Sequence, residues 1–500
     1  MLDVTAAQNT KCVKCLALLA SLLLTACSAP SGISDKTRAL ETPDSWYAGP
    51  IDSKGAHPKQ SSPEHLGVDN WLVNFDDTKL LEIVNYALQH NHELKAKLAN
   101  LEISRQQVDI SDASNFPELS LALSSSRQKQ VNGDFNNYQS GADISLDLSY
   151  EVDLWGQLSD EQVQSQLNYS AAQAQYQYEK ITLVANIAKV WFDFTESYQL
   201  LRLYQQRSDN LRNNLSIIQA SYRLGLSDAL DVYLTQNDVS RELARIAEQK
   251  QKMQEDSRRL ELLLGDYPTG KLKPLDELPL VSGDFSTGLP AQLLTRRLDI
   301  QASWYELMAL DAGLAVAHKQ KFPRFSLNAS TGHSSDQLEN LLDSSAMAWS
   351  LVGNLTIPLF NAGRLAALEE QARLRVVQKE QEYLQNVYQA FAEVEDQISN
   401  RSALTEQYQY YLHAQENALA AEDLSFNQYI KGLVSYTSVL ESQRRAFDTQ
   451  TTVIQLKNQL LQNRILVYQA LGGNYDTSAK ASDILATEPN SSTISARKNG

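Results

Sequence analysis

The sequence predicts an α + β membrane protein made of two equivalent halves, each with two short strands and a very long helical hairpin. Phe116-Pro117 returns later in the chain as Phe322-Pro323, and Tyr222–Leu226 returns as Tyr429–Leu433. A repeat of this length is too long for a solenoid unit, so it indicates a duplicated half-protein. Strands with alternating polarity and long runs without Gly or Pro complete the pattern.

Residues 1–26 are predicted to be a secretory signal peptide. A basic flank precedes an apolar run from Leu16 to Leu24, which is too short to span a membrane. The run leads into Leu-Thr-Ala-Cys, which resembles a bacterial lipobox. Cys27 is therefore predicted to carry covalent lipid, and Cys12 and Cys15 to leave with the signal. An ordinary signal peptide with a chance cysteine is the alternative.

The remaining chain is divided by composition. Residues 27–65 are rich in Ser, Pro and Gly and are predicted to be a lipidated tether. The first structural repeat covers 66–264 and the second covers 291–471. Between them, 265–290 has no periodicity and is predicted to be a linker. The Ser/Thr-rich tail 472–500 is predicted to be disordered.

In each repeat a helix is predicted to precede a β-hairpin. From Asp76, leucines recur at threes and fours until about Asn115. The period then changes to two, which predicts β-hairpins over 118–154 and, in the second half, 324–359.

The second predicted strand has one apolar face and one acidic face. Ile144, Leu146 and Leu148 alternate with acids and serines. Burying that acidic face in a globular core would be very unfavourable, whereas lipid on one side and water on the other suits both faces. A soluble sandwich with a polar outer face is the alternative. The acids predicted to face a water-filled lumen are Asp143, Asp147, Glu151 and Asp153.

Two segments without Gly or Pro, Gln157–Arg223 and Arg364–Lys431, predict helices of roughly 100 Å. Such polar helices need long partners beside them, so each is predicted to fold back as a hairpin, over 157–264 and 363–471.

Four strands cannot close a membrane barrel, because open edges leave backbone groups unsatisfied in lipid. Identical chains must therefore pool their strands. Two copies would give eight strands and three would give twelve, and the strand pattern leaves both open.

Charge and residue usage exclude several classes of function. The chain has a formal net charge of −16, which argues against nucleic-acid binding. His90 and His92 face different directions on a helix, so we expect no metal site. We find no catalytic motif and expect neither enzymatic activity nor a cofactor, apart from the lipid on Cys27.

Two segments carry a resemblance to a known family. Ser149–Gly156 and Ile357–Arg364 resemble the two signatures of TolC-like outer-membrane efflux proteins, specifically the lipoprotein (NodT/OprM-type) branch that serves resistance-nodulation-division pumps. The resemblance covers about 65–473. It implies a homotrimer with a twelve-stranded transmembrane β-barrel in the outer membrane, continued by a long periplasmic α-helical barrel. It also implies a periplasmic adaptor and an inner-membrane pump as partners, with outer-membrane lipid around the barrel.

The resemblance also implies roles for individual residues. The strand-to-helix junctions would be Trp155, Gly156, Pro358 and Gly363. The tips that dock the adaptor would be Gly225, Leu226, Ser227, Gly432, Leu433 and Val434. The acids and their counterparts around the periplasmic gate would be Asp228, Asp231, Ser438 and Glu441. Ser438 stands where members usually have an acid, so we expect the gate to be unequal between the two tips.

Helix capping by Ser227, Asp228 or Ser435 is an alternative role at the tips, and it can coexist with gating. Two other functions stay open at this point. One is an outer-membrane duct of a type I protein secretion system. The other is a structural lipoprotein that tethers the envelope.

Overall fold

The computed structural model describes residues 31–38, 42–48, 71–132, 135–280, 290–336 and 347–473. The predicted signal peptide, Cys27 and nearly all of the predicted tail lie outside these ranges, so those assignments remain predictions. The chain divides into two compact units. A sheet unit comprises 1–41, 99–174 and 300–386, and a helical unit comprises 42–98, 175–299 and 387–500.

The elements follow the order predicted for a duplicated chain. A 3-10 helix covers Trp71–Phe75. The strands are β1 (Glu118–Asn132), β2 (Phe135–Val152), β3 (Arg324–Ser335) and β4 (Met347–Thr356). The helices are α1 (Asp35–Arg38), α2 (Thr78–His90), α3 (His92–Ala113), α4 (Gln157–Arg223), α5 (Ala229–Leu264), α6 (Pro290–Arg296), α7 (Leu298–Lys319), α8 (Arg364–Ile430) and α9 (Tyr436–Ala470).

The four strands form one antiparallel sheet in the order β1-β2-β3-β4. β4 ends at Thr356, so the predicted continuation to residue 359 is corrected. Pro358 has no N–H to donate to a ladder, and it restricts the backbone of Ile357 before it. β2 is the longest of the four, with 18 residues.

The two long helices are present as predicted, and α4 and α8 have 67 residues each. Each is followed by a tight turn and a shorter helix. In the helical unit, Ser197 of α4 donates to Asp256 of α5 at 2.5 Å, and Asn463 of α9 donates to the carbonyl of Gln397 in α8 at 3.0 Å. No helix in the described ranges is both long enough and apolar enough to cross a membrane.

The predicted first helix is interrupted, which corrects the single helix expected from Asp76 to about Asn115. Asn91 leaves the helical conformation with ψ of 125° and separates α2 from α3. Its side-chain oxygen accepts from the backbone N–H of Leu94 at 2.8 Å, and its amide donates to the carbonyl of Leu263 at 2.8 Å. The asparagine is therefore a cap held in place by α5.

An aromatic cluster forms the core of the helical unit. The Trp71 ring stacks on Tyr468 at 5.6 Å, and Phe75 packs on Phe192 at 5.2 Å. The Nε1 of Trp191 donates to the carboxylate of Asp77 at 2.7 Å. These contacts explain why an aromatic-rich segment precedes α2.

The predicted tether is partly bound to the protein, in contrast to the free segment expected from its composition. In the sheet unit, Gly32 donates its N–H to Asp311 at 2.6 Å, and Ile33 is buried. In the helical unit, Trp46 is buried and its ring contacts Phe391 at 6.2 Å. We call residues 31–38 the strap.

Candidate functional site

The acids of β2 lie on a polar face that continues across the sheet. Asp143 accepts hydrogen bonds from Ser124 of β1 at 3.2 Å and from Ser334 of β3 at 2.5 Å. Asp147 accepts from Ser145 at 2.7 Å. It lies in register with serines of both neighbouring strands. Glu151 lies opposite Ser326 of β3. Serine hydroxyls thus solvate the carboxylates along this face.

The opposite face of the sheet is apolar in every strand. One row across the four strands contains Leu119, Leu148, Ala329 and Leu351, and the next contains Leu121, Leu146, Thr331 and Trp349. These side chains are not covered by the chain itself, since Trp349 is 76% exposed and Leu121 is 70% exposed. An uncovered apolar band of this kind is what a lipid-facing barrel wall presents.

Asp153 is the exception among the predicted lumen-facing acids. β2 ends at Val152, and the carboxylate of Asp153 turns to the start of α4. It accepts from the backbone N–H of Leu158 at 3.2 Å and of Ser159 at 2.9 Å. Burial favours a higher pKa for Asp153, but these hydrogen bonds outweigh it and lower the pKa. The assignment to the strand face is corrected because free N–H groups at a helix start attract a carboxylate.

Both predicted strand-to-helix junctions contain a glycine with a positive φ directly before a long helix. The φ angle is 75° at Gly156 and 83° at Gly363, a region that side chains with a Cβ rarely adopt. Trp155 stabilises the first junction, because its Nε1–H donates a hydrogen bond to the carbonyl of Pro323 at 2.6 Å. At the second junction Pro358 is exposed beyond the end of β4.

The two hairpin tips have the same backbone geometry. Gly225 donates to the carbonyl of Tyr222 at 2.9 Å, and Gly432 donates to that of Tyr429 at 2.8 Å. Both glycines have a φ of 73°. This is the Schellman arrangement that ends helices. The residues that follow, Leu226 and Leu433, point into solvent, the first 79% and the second 70% exposed. Ser227 and Val434, which complete the two predicted tips, are half-buried.

The acids of the first tip have two distinct roles. Asp228 is the N-cap of α5, and its carboxylate accepts from the N–H of Leu230 at 3.4 Å. Asp231 lies in the first turn and accepts from the hydroxyl of Ser227 at 3.1 Å. The capping alternative is therefore seen at Asp228, whereas Asp231 is free of capping and half-buried.

The acid of the second tip is neutralised locally. Glu441 accepts from Arg444 at 2.9 Å and from Arg445 at 2.8 Å. These two guanidinium groups lower the pKa of Glu441 to about 2. Ser438 is exposed, and the N-cap Ser435 makes no side-chain capping bond. The two tips consequently differ in charge, which sequence reasoning predicted from Ser438 but not from the arginines.

A small core joins the two tips. Ile218 of α4, Tyr436 and Val439 of α9 are buried together, and Phe426 and Tyr429 of α8 pack against them. The two tips therefore share one apolar contact region.

Sequence reasoning missed a buried polar cluster in the helical unit. The side-chain amide of Asn458 in α9 donates to Asp193 at 2.8 Å and to Glu196 at 2.5 Å, both in α4. Burial raises the pKa of Glu196 to about 7, which the bond from Asn458 only partly offsets. Asn458 is more than 260 residues away from Asp193 and Glu196 in sequence, so no local motif could reveal the cluster.

The family model for outer membrane efflux proteins matches residues 83–266 and 289–473, one block in each half. The chain belongs to the outer membrane efflux protein family. The solvent efflux pump outer membrane protein SrpC of Pseudomonas putida is 30% identical over 81% of this chain and 87% of its own length. The probable outer membrane lipoprotein SilC of Salmonella typhimurium is 28% identical over 81% of this chain and 88% of its own.

A solved structure shows the same fold. The CmeC outer membrane channel of Campylobacter jejuni matches with a TM-score of 0.80 at 21% identity, covering 91% of this chain and 98% of that one. The predicted resemblance and fold class are thereby confirmed. This outer membrane efflux protein is a channel component of an efflux system and is located in the outer membrane.

Proposed function

We propose that three copies of the chain form the exit duct, with twelve strands in the barrel and the helical hairpins as a periplasmic tunnel. The observation that supports this is the open sheet with one uncovered apolar face, in which β1 and β4 are edge strands. Such edges are unsatisfied in lipid until another chain pairs with them. Cys27 adds a lipid anchor to the same membrane.

The duct receives small molecules from an inner-membrane pump of the resistance-nodulation-division type through a periplasmic adaptor. Exposed Leu226 and Leu433 at the tips supply apolar contacts for that adaptor, because single exposed leucines at a rigid turn suit insertion between partner helices. The chain itself conducts passively and carries out no chemistry.

Asp231 controls the charge of the periplasmic aperture in this proposal. Its carboxylate is held in the first turn of α5 by one hydroxyl, whereas Glu441 is compensated by two arginines. A cation that enters the closed end therefore meets an uncompensated acid at the first tip only.

Planar-bilayer conductance of the purified full-length protein tests the duct and its gate together. Asp231→Ala should weaken block by multivalent cations applied from the periplasmic side, and Glu441→Ala, the matched acid of the other tip, should leave the block almost unchanged. Absence of any channel would refute the duct, and equal effects of both variants would refute the unequal gate. Sedimentation in detergent checks the trimer, which should have about three times the mass of the mature chain.

A further inference from the structure

Within the described residues, the hairpin of β1 and β2 extends further than the pairing of β2, β3 and β4. β1 and β2 remain paired as far as Asn132 and Phe135, whereas the pairing of β2 with β3 stops at Ala142 and Ser335. In the part of the chain that the structure describes, the projecting part is a two-stranded ribbon, and it lies at the end of the sheet opposite the strand-to-helix junctions at Gly156 and Gly363. With the helical hairpins in the periplasm, as in the proposed function on which this step rests, this end faces the exterior.

The ribbon changes character on its lipid-facing side. Along β1, alternate residues share a face, so Leu121 and Leu123 are followed on that face by Arg127 and Lys129. On β2 the partner of Lys129 is Tyr138. The outer surface therefore passes from leucines to two cations and a tyrosine.

The two cations are held against a single ring. The guanidinium of Arg127 is 5.5 Å from the Tyr138 ring centroid, and the ammonium of Lys129 is 5.7 Å from it. All three side chains are exposed, and Tyr138 is 56% exposed. Within the described ranges neither cation has an ion pair with an acid. Two like charges this close favour a ligand with more than one negative charge.

The position along the strand places this pair at the level of lipid headgroups. Tyr138 lies about 14 residues before Val152, near the other end of β2. This separation corresponds to roughly 46 Å along the strand. For a strand tilted by about 40°, it is about 35 Å along the membrane normal. An apolar band of about 25 Å that begins at the level of Val152 would end about 10 Å before the level of Tyr138. Aromatic and cationic side chains are favoured in this interfacial layer.

We propose that Arg127 and Lys129, positioned by Tyr138, bind the phosphate groups of an anionic glycolipid in the outer leaflet of the membrane. The surface is continuous with the lipid-facing wall of the barrel, and its charge is opposite to that of the ligand. The proposal does not depend on the gate or on the adaptor.

Lipid binding to the purified full-length protein in a zwitterionic detergent tests this site. Diphosphorylated lipid A is titrated and followed by native mass spectrometry, with fully dephosphorylated lipid A as the second probe. Each cation near an anionic headgroup contributes about fivefold in affinity, so Arg127→Gln with Lys129→Gln should weaken binding roughly 30-fold. The reciprocal exchange, Arg127→Lys with Lys129→Arg, should stay within about threefold of the parent.

Arg324→Gln with Arg364→Gln is the matched control, because it removes two exposed cations at the starts of β3 and α8, away from the ribbon. The control should bind like the parent, and conductance should be unchanged in the ribbon variants. The proposal is overturned if the control loses as much affinity as the ribbon variant, or if dephosphorylated lipid A binds the parent equally well. If the ribbon variant does not fold, lipid A binding to the parent is measured at increasing salt concentration. An affinity that does not change with ionic strength also overturns the proposal.

Discussion

Replacing Glu380 should release the N-terminal strap from α8. One oxygen of its carboxylate accepts three hydrogen bonds, from the N–H of Ser34 at 3.0 Å, the hydroxyl of Ser34 at 2.5 Å and the hydroxyl of Thr37 at 2.5 Å. Thr37 is only 5% exposed, and Ile33, next to Ser34, is buried. The strap is therefore held by both polar and apolar contacts.

The size of the effect follows from these three bonds. A hydrogen bond to a charged acceptor contributes about 1.5–3 kcal/mol, and bonds that share one oxygen do not add in full. We expect Glu380→Ala to lower the free energy of local opening of residues 31–38 by about 3 kcal/mol. Amide exchange of Thr37 should then become about 150-fold faster.

Native-state hydrogen exchange, resolved by peptide mass spectrometry, measures this opening directly. Glu382→Ala is the control, because Glu382 is exposed on the same helix and bonds only to its neighbours Gln378 and Lys379. Acceleration below about fivefold in Glu380→Ala, or equal acceleration in the control, would contradict the role given to this carboxylate.

The same contact should depend on pH. Burial favours a higher pKa for Glu380, but the bonds from Ser34 and Thr37 outweigh it, and the pKa lies below its ordinary value of 4.5. Because the pKa of Glu380 is lower in the folded state, its ionised carboxylate stabilises the strap at pH values above the unfolded pKa. That stabilisation is lost as the pH falls through the folded pKa. The amide exchange rate of the strap, after correction for the intrinsic rate, should be constant from neutral pH to about 5 and should rise below about 4. Glu380→Gln should remove this rise.

Two further substitutions test the sheet and the helical core. A Cβ at Gly332 would overlap the carbonyl oxygen of Ile144, so Gly332→Ala should force β2 and β3 apart. A destabilisation of about 3 kcal/mol is expected and should appear as loss of the heat-modifiable folded band in electrophoresis. Gly353→Ala, whose nearest neighbour is a ring atom at 3.4 Å, should be tolerated, and equal damage would refute the argument. Asp77→Ala removes an N-cap and leaves the Trp191 N–H buried without a partner, which should destabilise by about 2–4 kcal/mol and lower the melting temperature. Asp77→Asn keeps an acceptor, and a drop as large as that of alanine would contradict this.

The features that sequence reasoning predicted correctly are those set by local patterns. Alternation along β2 placed Asp143 and Asp147 on a face opposite the leucines, because the side-chain period of a strand is fixed at two. The tip glycines, Gly225 and Gly432, were found because a left-handed turn after a helix strongly favours glycine.

The features that were missed depend on contacts between distant segments or on competing local partners. Asp153 continues the alternation of β2, yet the unsatisfied N–H groups of α4 draw its carboxylate away from the sheet. Apolar spacing continues across Asn91, so periodicity alone could not reveal the break that Leu263 stabilises. Composition made the strap look unattached, because its partner Glu380 is more than 340 residues away.

The Asn458 cluster changes the proton content of the protein. The formal charge of −16 counts every carboxyl group as ionised. Burial raises the pKa of Glu196 to about 7, so this carboxyl group gains or loses its proton near neutral pH. Each chain therefore exchanges a proton with its surroundings near neutral pH, where most carboxyl groups stay ionised. The charge of the helical unit therefore changes with the acidity of its surroundings.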